Sequence, residues 1–241
     1  MPADPTPLAH PPWSALTTAH APFALANELA RRYRPEFAPM AAVRELSDDG
    51  FAALHALMQP GDIVGLFAPE PVAAVRGLTV IVHKTIEQMV YEGPQAVPPH
   101  DGIVPLTVAD VPAMMELVKL TEPGPFAPRT IALGSYIGMW NAGRLIAMAG
   151  ERMKFDGFTE ISAVCTHPDH RGRGYATALV HTLMRDVLAR GETPFLHVFS
   201  DNTAAAALYG RLGFAHRRSL TVTVLKRPAP AADGAGPNVP N

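Results

Sequence analysis

The most regular hydrophobic pattern in the chain lies between residues 175 and 189, where apolar side chains recur three or four positions apart. The recurring positions are Leu179, Val180, Leu183, Met184, Val187 and Leu188. This spacing places them on one face of an α-helix that packs against a core. A β-branched apolar run at 159–166 predicts a strand before this helix, and 195–199 predicts another strand after it.

Other apolar runs in the second half of the chain predict further elements around this unit. Asp110 can cap a helix that carries Pro112 in its first turn. Alternating runs on either side of the turn Asn141–Gly143 predict a β-hairpin. A helix is predicted to begin at Asn202 and to stop before Gly213, and residues 221–225 predict a closing strand.

Residues 13–100 show a less regular alternation of apolar and polar positions. Helices are predicted at 22–33, from a cap at Asp48 or Asp49 to the stop at Pro60-Gly61, and at 85–92, and strands are predicted at 63–67 and 78–82. Glycine and proline at 93–99 predict a boundary, which gives an N-terminal α/β part at 13–100 and a second domain at 101–227. The Pro-rich residues 1–12 and the Pro-, Ala- and Gly-rich tail 228–241 are expected to be poorly ordered.

Composition narrows the class of protein. Of 241 residues, 48% are hydrophobic and 17% are charged, which is typical of a globular chain with a sizeable core. The net charge of −2 argues against general nucleic-acid binding. Cys165 is the single cysteine, so an internal disulfide is excluded and a structural zinc site is disfavoured. Because the sequence shows no signal peptide and no membrane-spanning run, we expect a cytoplasmic protein.

The segment between the strand at 159–166 and the long helix is a basic, glycine-containing loop. Gly172 and Gly174 can adopt backbone conformations closed to other residues, and Arg171 and Arg173 can bind phosphate oxygens. The N–H groups of a helix beginning near Gly174 also attract anions. The spacing matches neither a Walker P-loop nor a dinucleotide-binding fingerprint. On the glycines alone, a basic surface turn explains the segment equally well.

Two motifs in order distinguish between these interpretations. The loop supplies Arg171, Gly174 and Ala176, and the later helix supplies Asn202, Ala205, Tyr209, Gly213 and Phe214. Together they closely resemble the motifs of the GNAT superfamily of N-acetyltransferases, over roughly residues 101–227. The second half of the chain looks most like the branch near glycine N-acyltransferases. The resemblance implies the order β-α-β-β-β-α-β-α-β, an α/β fold with a mixed central sheet and helices on both faces.

The resemblance also implies an acyltransferase that uses acetyl-CoA as co-substrate. The residues expected to bind it are Val164, Thr166, Arg171, Gly172, Arg173, Gly174, Tyr175, Ala176 and Asn202. The strand ending at Thr166 is expected to separate from its neighbour at a bulge, so that the pantetheine arm pairs with the backbone at Val164 and Thr166. Such a bulge would leave a backbone N–H free for the thioester oxygen.

Tyr209 and Glu160 are the catalytic residues that the resemblance implies. Tyr209 would protonate the departing thiolate, and the alternative is an aromatic ring that packs on the sheet. Glu160 stands eleven residues before Arg171, at the offset of the catalytic glutamate in the histone-acetylating branch. A carboxylate at the edge of an apolar strand is expected to have a raised pKa, which suits a general base. Alternatives for the general base are Glu151, His197 and a chain of waters. Glu160 would then be a solvated residue at the start of the strand.

The acceptor site is expected near the loop at 121–126, where Glu122 could meet a cationic amine, with Tyr136 lining the same pocket. The N-terminal part would form one wall. No metal site is expected, because His167, Asp169 and His170 lie within one tight turn.

These features predict transfer of an acetyl group to the amine of a small-molecule or amino-acid-like acceptor. The alternatives are a non-catalytic acyl-CoA-binding regulatory module and a protein or peptide N-acetyltransferase. Partners would be acetyl-CoA and the amine, with no nucleic acid and no membrane. Relatives often form homodimers, but this sequence shows no interface pattern.

Overall fold

A computed structural model of the chain describes residues 6–73, 75–94 and 100–229. The strands are β1 (Ala24–Ala26), β2 (Ala30–Tyr33), β3 (Met40–Val43), β4 (Ile63–Ala68), β5 (Thr79–Tyr91), β6 (Val104–Pro105), β7 (Tyr136–Asn141), β8 (Arg144–Phe155), β9 (Phe158–Thr166), β10 (Thr193–Phe199) and β11 (Phe214–Lys226). The α-helices are α1 (Pro11–Thr17), α2 (Asp48–Ala56), α3 (Val111–Thr121), α4 (Tyr175–Ala189) and α5 (Thr203–Arg211). Within these ranges no helix is long and apolar enough to cross a membrane.

All the described strands belong to one mixed sheet, in the order β1-β2-β3-β4-β11-β5-β10-β9-β8-β7-β6. From β6 onward the chain follows the predicted order of strands and helices. The apolar stripe of α4 packs on one face of the sheet, where Leu179 and Leu183 are fully buried beside Ile161, Leu196 and Val198. The sequence pattern therefore predicted both the element and the face that it buries.

Strand β5 joins the two halves of the chain. It runs antiparallel to β10, from Phe195 opposite Val90 to Phe199 opposite Ile86. Its other edge pairs with the whole length of β11. The N-terminal part thus contributes the strand that lies between β10 and β11, and β11 lies inside the sheet rather than closing its edge.

Two of the helix predictions for the N-terminal part were wrong. Residues 85–92 contribute to β5, because two neighbouring strands supply partners for both edges of its backbone. Residues 22–33 contain the hairpin of β1 and β2. The Asn27 side chain closes that hairpin, since its Oδ1 accepts hydrogen bonds from the N–H groups of Leu29 and Ala30.

The described part of the N-terminal segment is ordered, contrary to the expectation for residues 1–12. Pro11 opens α1, and Leu8 is buried in a core with Phe195. The Leu8 carbonyl accepts a hydrogen bond from Gln88 Nε2 on β5. Residues 1–5, 95–99 and 230–241, which include most of the predicted boundary and tail, lie outside the described residues.

Helix α3 also begins differently from the prediction. Asp110 occupies its N-cap position, but the carboxylate accepts from Thr107 N at 2.7 Å and from Thr107 Oγ1 at 2.9 Å. The side chain therefore caps the preceding 3₁₀ turn rather than α3.

The position of β5 gives a testable prediction about the organisation of the chain. A fragment of residues 100–229 lacks β5, so β10 and β11 keep unpaired edges and the fragment is expected to aggregate. Coexpression with a fragment of residues 1–94 is expected to restore a soluble complex, as measured by size-exclusion chromatography and circular dichroism. A soluble, cooperatively unfolding monomer of 100–229 alone would contradict this prediction.

Candidate active site

A cavity of about 800 Å³ opens where β9 and β10 separate. These parallel strands pair only from Thr193 opposite Phe158 to Phe195 opposite Glu160. Beyond that point β10 continues alongside β5, while β9 stays with β8. A wedge-shaped gap is therefore built into the sheet, and both strands contribute backbone and side chains to its walls.

The predicted bulge lies on β9 beside this gap. The pairing of β8 with β9 shifts register between Met148–Cys165 and Gly150–Ser162, so β9 carries one residue more than β8. Ala163 takes up the extra length with a φ of 53°, in the left-handed region. A non-glycine residue held in this conformation is typical of a bulge that redirects backbone groups beside a site.

The glycine loop forms one end of the cavity. Gly172 and Gly174 have φ angles of 74° and 80°, and a Cβ atom added at either would meet no heavy atom within 4 Å. Gly174 is the N-cap of α4 and provides no side-chain cap. The first-turn N–H groups of a 15-residue helix are thus available to an anion beside an open surface.

This cavity is lined by most of the residues that were predicted to bind acetyl-CoA, the acetyl donor. They are Val164, Thr166, Arg171, Gly172, Gly174, Ala176 and Asn202. Arg173 and Tyr175 are not in the lining. Arg173 Nη2 donates to the Asp169 carbonyl at 3.3 Å, and Tyr175 packs against the core beneath the loop.

Tyr209 lines the cavity from α5, whose N-cap is Asn202. Asn202 Oδ1 accepts a hydrogen bond from Ala205 N at 3.2 Å, which fixes the start of the helix. The Tyr209 side chain is almost entirely buried. Burial, assisted by nearby Cys165, raises the pKa of its hydroxyl to about 12. This hydroxyl therefore stays protonated at neutral pH and can act as a proton donor.

The structure corrects the expectation for Glu160. Its carboxylate is fully buried and lies outside the cavity lining. Burial alone would raise its pKa, but the Arg152 charge, two hydrogen bonds from Arg152 and one from His197 lower the pKa to about 2. Arg152 Nε lies 2.7 Å from Oε2, and Nη2 lies 2.6 Å from Oε1. A carboxylate held ionised in this way is a poor proton acceptor at neutral pH.

His197 is the side chain that connects Glu160 to the cavity. Its Nδ1 lies 2.8 Å from Glu160 Oε1, and its ring forms part of the cavity wall. Because the carboxylate can only accept, Nδ1 carries a hydrogen, and in the neutral ring Nε2 is left with a lone pair. Gln88 Nε2 lies 3.3 Å from that nitrogen. The alternative base Glu151 instead binds Lys154 and Arg190, away from the cavity.

The two residues predicted for the acceptor pocket lie in different places. Glu122 is at the cavity rim, exposed at the C-cap of α3 with a φ of 47°. Tyr136 is not in the lining, because its ring packs against Gly150 and edge-on to Phe126. Its buried hydroxyl has no hydrogen-bond partner among the described residues, and burial raises its pKa.

Sequence reasoning missed Arg152, and it expected a wall from the N-terminal part without naming the residues that form it. Met40, Gly65, Phe67, Lys84 and Ile86 of that part line the cavity, together with Val222 and Val224 of β11. The turn Asp156–Gly157 was an available signal, because a hairpin closed there brings Arg152 near Glu160. The contribution of β4 and β5 depends on long-range pairing and has no comparable local signal.

Comparisons with known sequences place this site in a family context. A family model described as FR47-like protein matches residues 136–223. The uncharacterized N-acetyltransferase YobR of Bacillus subtilis is 32% identical over 81 residues, which make up 33% of this chain and 32% of that protein. A Yersinia pestis acetyltransferase is 42% identical over 50 residues, 20% of this chain and 35% of that protein. The chain thus spans about a third of the length of these curated relatives.

Solved structures extend the similarity to nearly the whole chain. A crystal structure from Novosphingobium aromaticivorans, described as a member of the GNAT family, is 39% identical with a TM-score of 0.87. The match covers 93% of this chain and 100% of that one. A GCN5-related N-acetyltransferase from Kribbella flavida, 17% identical with a TM-score of 0.57, shares the fold over 91% of this chain and 96% of its own.

The separated parallel strands, the bulge and the glycine loop at the start of α4 define the acetyltransferase fold class that the sequence motifs predicted. On the similarity to the Novosphingobium structure, the chain belongs to the GNAT family.

The buried pair of Arg152 and Glu160 predicts how stability depends on pH. The pKa of the Glu160 carboxyl is lower in the folded than in the unfolded chain. The ionised carboxylate therefore adds to the free energy of unfolding above pH 4 to 5, and this contribution is lost as the pH falls toward 2. Glu160→Gln is therefore expected to lower the free energy of unfolding at pH 7 by about 3 kcal/mol. The difference from the unsubstituted protein should shrink as the pH falls.

Urea denaturation at a series of pH values measures this difference. The matched control is Asp156→Asn, an exposed carboxylate in the β8–β9 turn, which should leave the acid profile nearly unchanged. A Glu160→Gln deficit that is the same at pH 3 and pH 7 would refute the assignment of the low pKa to this pair.

Proposed function

We propose that this chain is an acetyl-CoA-dependent N-acetyltransferase that acetylates the amine of a small-molecule or amino-acid-like acceptor by direct attack. The observation that carries the proposal is the junction of three features in one cavity: the uncapped start of α4, the bulge at Ala163 and the Tyr209 side chain. We also propose that the second half of the chain is related to the glycine N-acyltransferase branch of the family.

The residues present fit this donor. The glycine loop leaves space beside the first turn of α4, where backbone N–H groups would hold the pyrophosphate and Arg171 would add charge. The unpaired edge of β9 at Val164 and Thr166 would accept the pantetheine arm as an added strand. When bound, acetyl-CoA supplies the thioester, whose C–S bond breaks as the C–N bond to the amine forms.

Side chains of the protein would donate and accept the two protons that move in this transfer. The Tyr209 hydroxyl, protonated because burial raises its pKa, would donate to the departing sulfur. His197 Nε2 would receive the proton released by the amine, with Glu160 holding the opposite ring nitrogen. Glu160 is thereby a positioning residue, because it acts through His197. For His197 to accept this proton, Gln88 must give up its long contact with Nε2.

Donor binding is tested by thermal unfolding with and without acetyl-CoA. At a concentration 100 times its Kd, the ligand should stabilise the fold by about 2.7 kcal/mol, which raises Tm by roughly 5–10 °C for a chain of this size. Gly174→Trp should abolish the shift by blocking the loop. Gly191→Trp is the matched control, since Gly191 has a φ of 74° and equal open space at the other end of α4.

The absence of a Tm shift in the unsubstituted protein would contradict the donor assignment. Loss of the shift in both variants would show that any tryptophan at a positive φ disturbs α4, and the loop would then not be the specific contact.

The proton-transfer roles are tested by steady-state kinetics on an amine panel. Tyr209→Phe is expected to lower kcat by about 10²-fold or more without changing acetyl-CoA affinity. His197→Gln should also lower kcat, because a glutamine side chain has no basic nitrogen to accept the proton. Tyr91→Phe is a matched control, because the Tyr91 hydroxyl bonds the Pro94 carbonyl away from the cavity. Unchanged kcat in Tyr209→Phe would exclude Tyr209 as the acid.

A further inference from the structure

The cavity extends well beyond the region needed for the donor. Its second lobe lies over the face of β4, β11 and β5, where Val222 stands opposite Phe67 and Val224 stands opposite Gly65. Apart from Lys84, the side chains that these strands place there are aliphatic or aromatic. The lobe is therefore an apolar surface contributed largely by the N-terminal part, separate from the glycine loop.

Arg152 is the charged side chain that reaches this cavity from inside the protein. Its Nε and Nη2 are both engaged with Glu160. Among the described residues, Nη1 makes no hydrogen bond. Among the described residues, the buried side-chain nitrogen and oxygen atoms that lack a hydrogen-bond partner are Arg31 Nε, Tyr136 Oη and His170 Nδ1. Arg152 Nη1 is not one of these buried atoms. Because Arg152 is 11% exposed and lines the cavity, Nη1 reaches open space there.

The other charges of the lining lie at the surface. Arg171 and Arg211 stand toward the donor end, and Glu122 is exposed at the rim. Lys84 is exposed over the Phe199 ring, with 4.9 Å between its nitrogen and the ring centroid. The charged lining therefore holds four basic side chains and one acidic side chain among the described residues. Because Arg171 and Arg211 stand toward the donor end, the donors left for the acceptor are Lys84 and the free Nη1 of Arg152, which suit an anionic group.

We propose that the acceptor is an amino acid with an apolar side chain, whose carboxylate binds Arg152 Nη1 and whose side chain lies on the apolar lobe. The proposal rests on the proposed function, because it concerns the acceptor of the same reaction. The guanidinium nitrogens suit a carboxylate, and Glu160 keeps the guanidinium oriented from behind.

The first test compares matched acceptors with the unsubstituted protein and acetyl-CoA. L-leucine should have a KM at least tenfold lower than 3-methylbutylamine, which has the same side chain and amine but no carboxylate. Along the series glycine, alanine and leucine, KM should fall by up to about fourfold for each methylene that the lobe buries. Equal KM values for leucine and 3-methylbutylamine would overturn the proposal.

The second test assigns the effect to Arg152. Arg152→Lys keeps a positive charge beside Glu160 but removes Nη1. It is expected to raise KM for leucine at least tenfold and to leave KM for 3-methylbutylamine and the acetyl-CoA Tm shift unchanged. Arg190→Lys is the matched control, since Arg190 binds the buried Glu151 outside the cavity and should leave the KM for leucine unaltered. A rise in KM for both acceptors in Arg152→Lys would count against a carboxylate contact.

Two further measurements cover a variant that does not fold and an acceptor that is not acetylated. If Arg152→Lys does not fold, the double variant Arg152→Gln/Glu160→Gln removes both charges together and is compared on the same acceptors. If no amine is acetylated although acetyl-CoA shifts Tm, titration calorimetry measures N-acetyl-L-leucine binding to the protein with CoA. Saturable binding supports the acceptor assignment, and no binding overturns it. The lack of any Tm shift with acetyl-CoA would instead reject the proposed function itself.

Discussion

The structure depends on how strand β10 is paired along its length. At its start β10 is bonded to β9 on one edge, and from Phe195 to Phe199 it is bonded to β5 on the other. An unsupported strand leaving its neighbour would expose a row of backbone donors and acceptors. Because β5 holds the departing half of β10, the gap next to β9 can remain open as a cavity. The N-terminal part is thus a structural condition for the site.

The buried charges beside the gap have a different role. An ion pair sealed from water gives little net stability compared with apolar packing, because both charges lose their hydration. Arg152 and Glu160 nevertheless determine the local chemistry, since the pair keeps the carboxylate ionised and therefore fixes which nitrogen of His197 carries hydrogen. A carboxylate that does not line the cavity thus sets the orientation of a ring that does.

The features that the sequence alone predicted are those determined by neighbouring residues. The stripe of α4, the positive φ at Gly174 and the capping of α5 by Asn202 all arise within a few positions of the chain. Residues 85–92 were mistaken for a helix because their strand conformation depends on partners more than 100 residues away, at β10 and β11. The direction of the Glu160 pKa shift was also wrong, because it is set by Arg152 across a strand register that periodicity does not fix.

This division between local and long-range features coincides with the two ends of the cavity. The proposed donor end is built from a loop and helix starts, whose sequence requirements are strict because backbone N–H groups must face the ligand. The far end is built from side chains on β4, β5 and β11, where a strand tolerates many substitutions as long as its pairing persists. Substitutions at the far end can therefore alter which acceptor fits while leaving the donor contacts intact. It follows that the acceptor must be identified from the residues that the fold brings together there, since the motifs of the family describe only the opposite end.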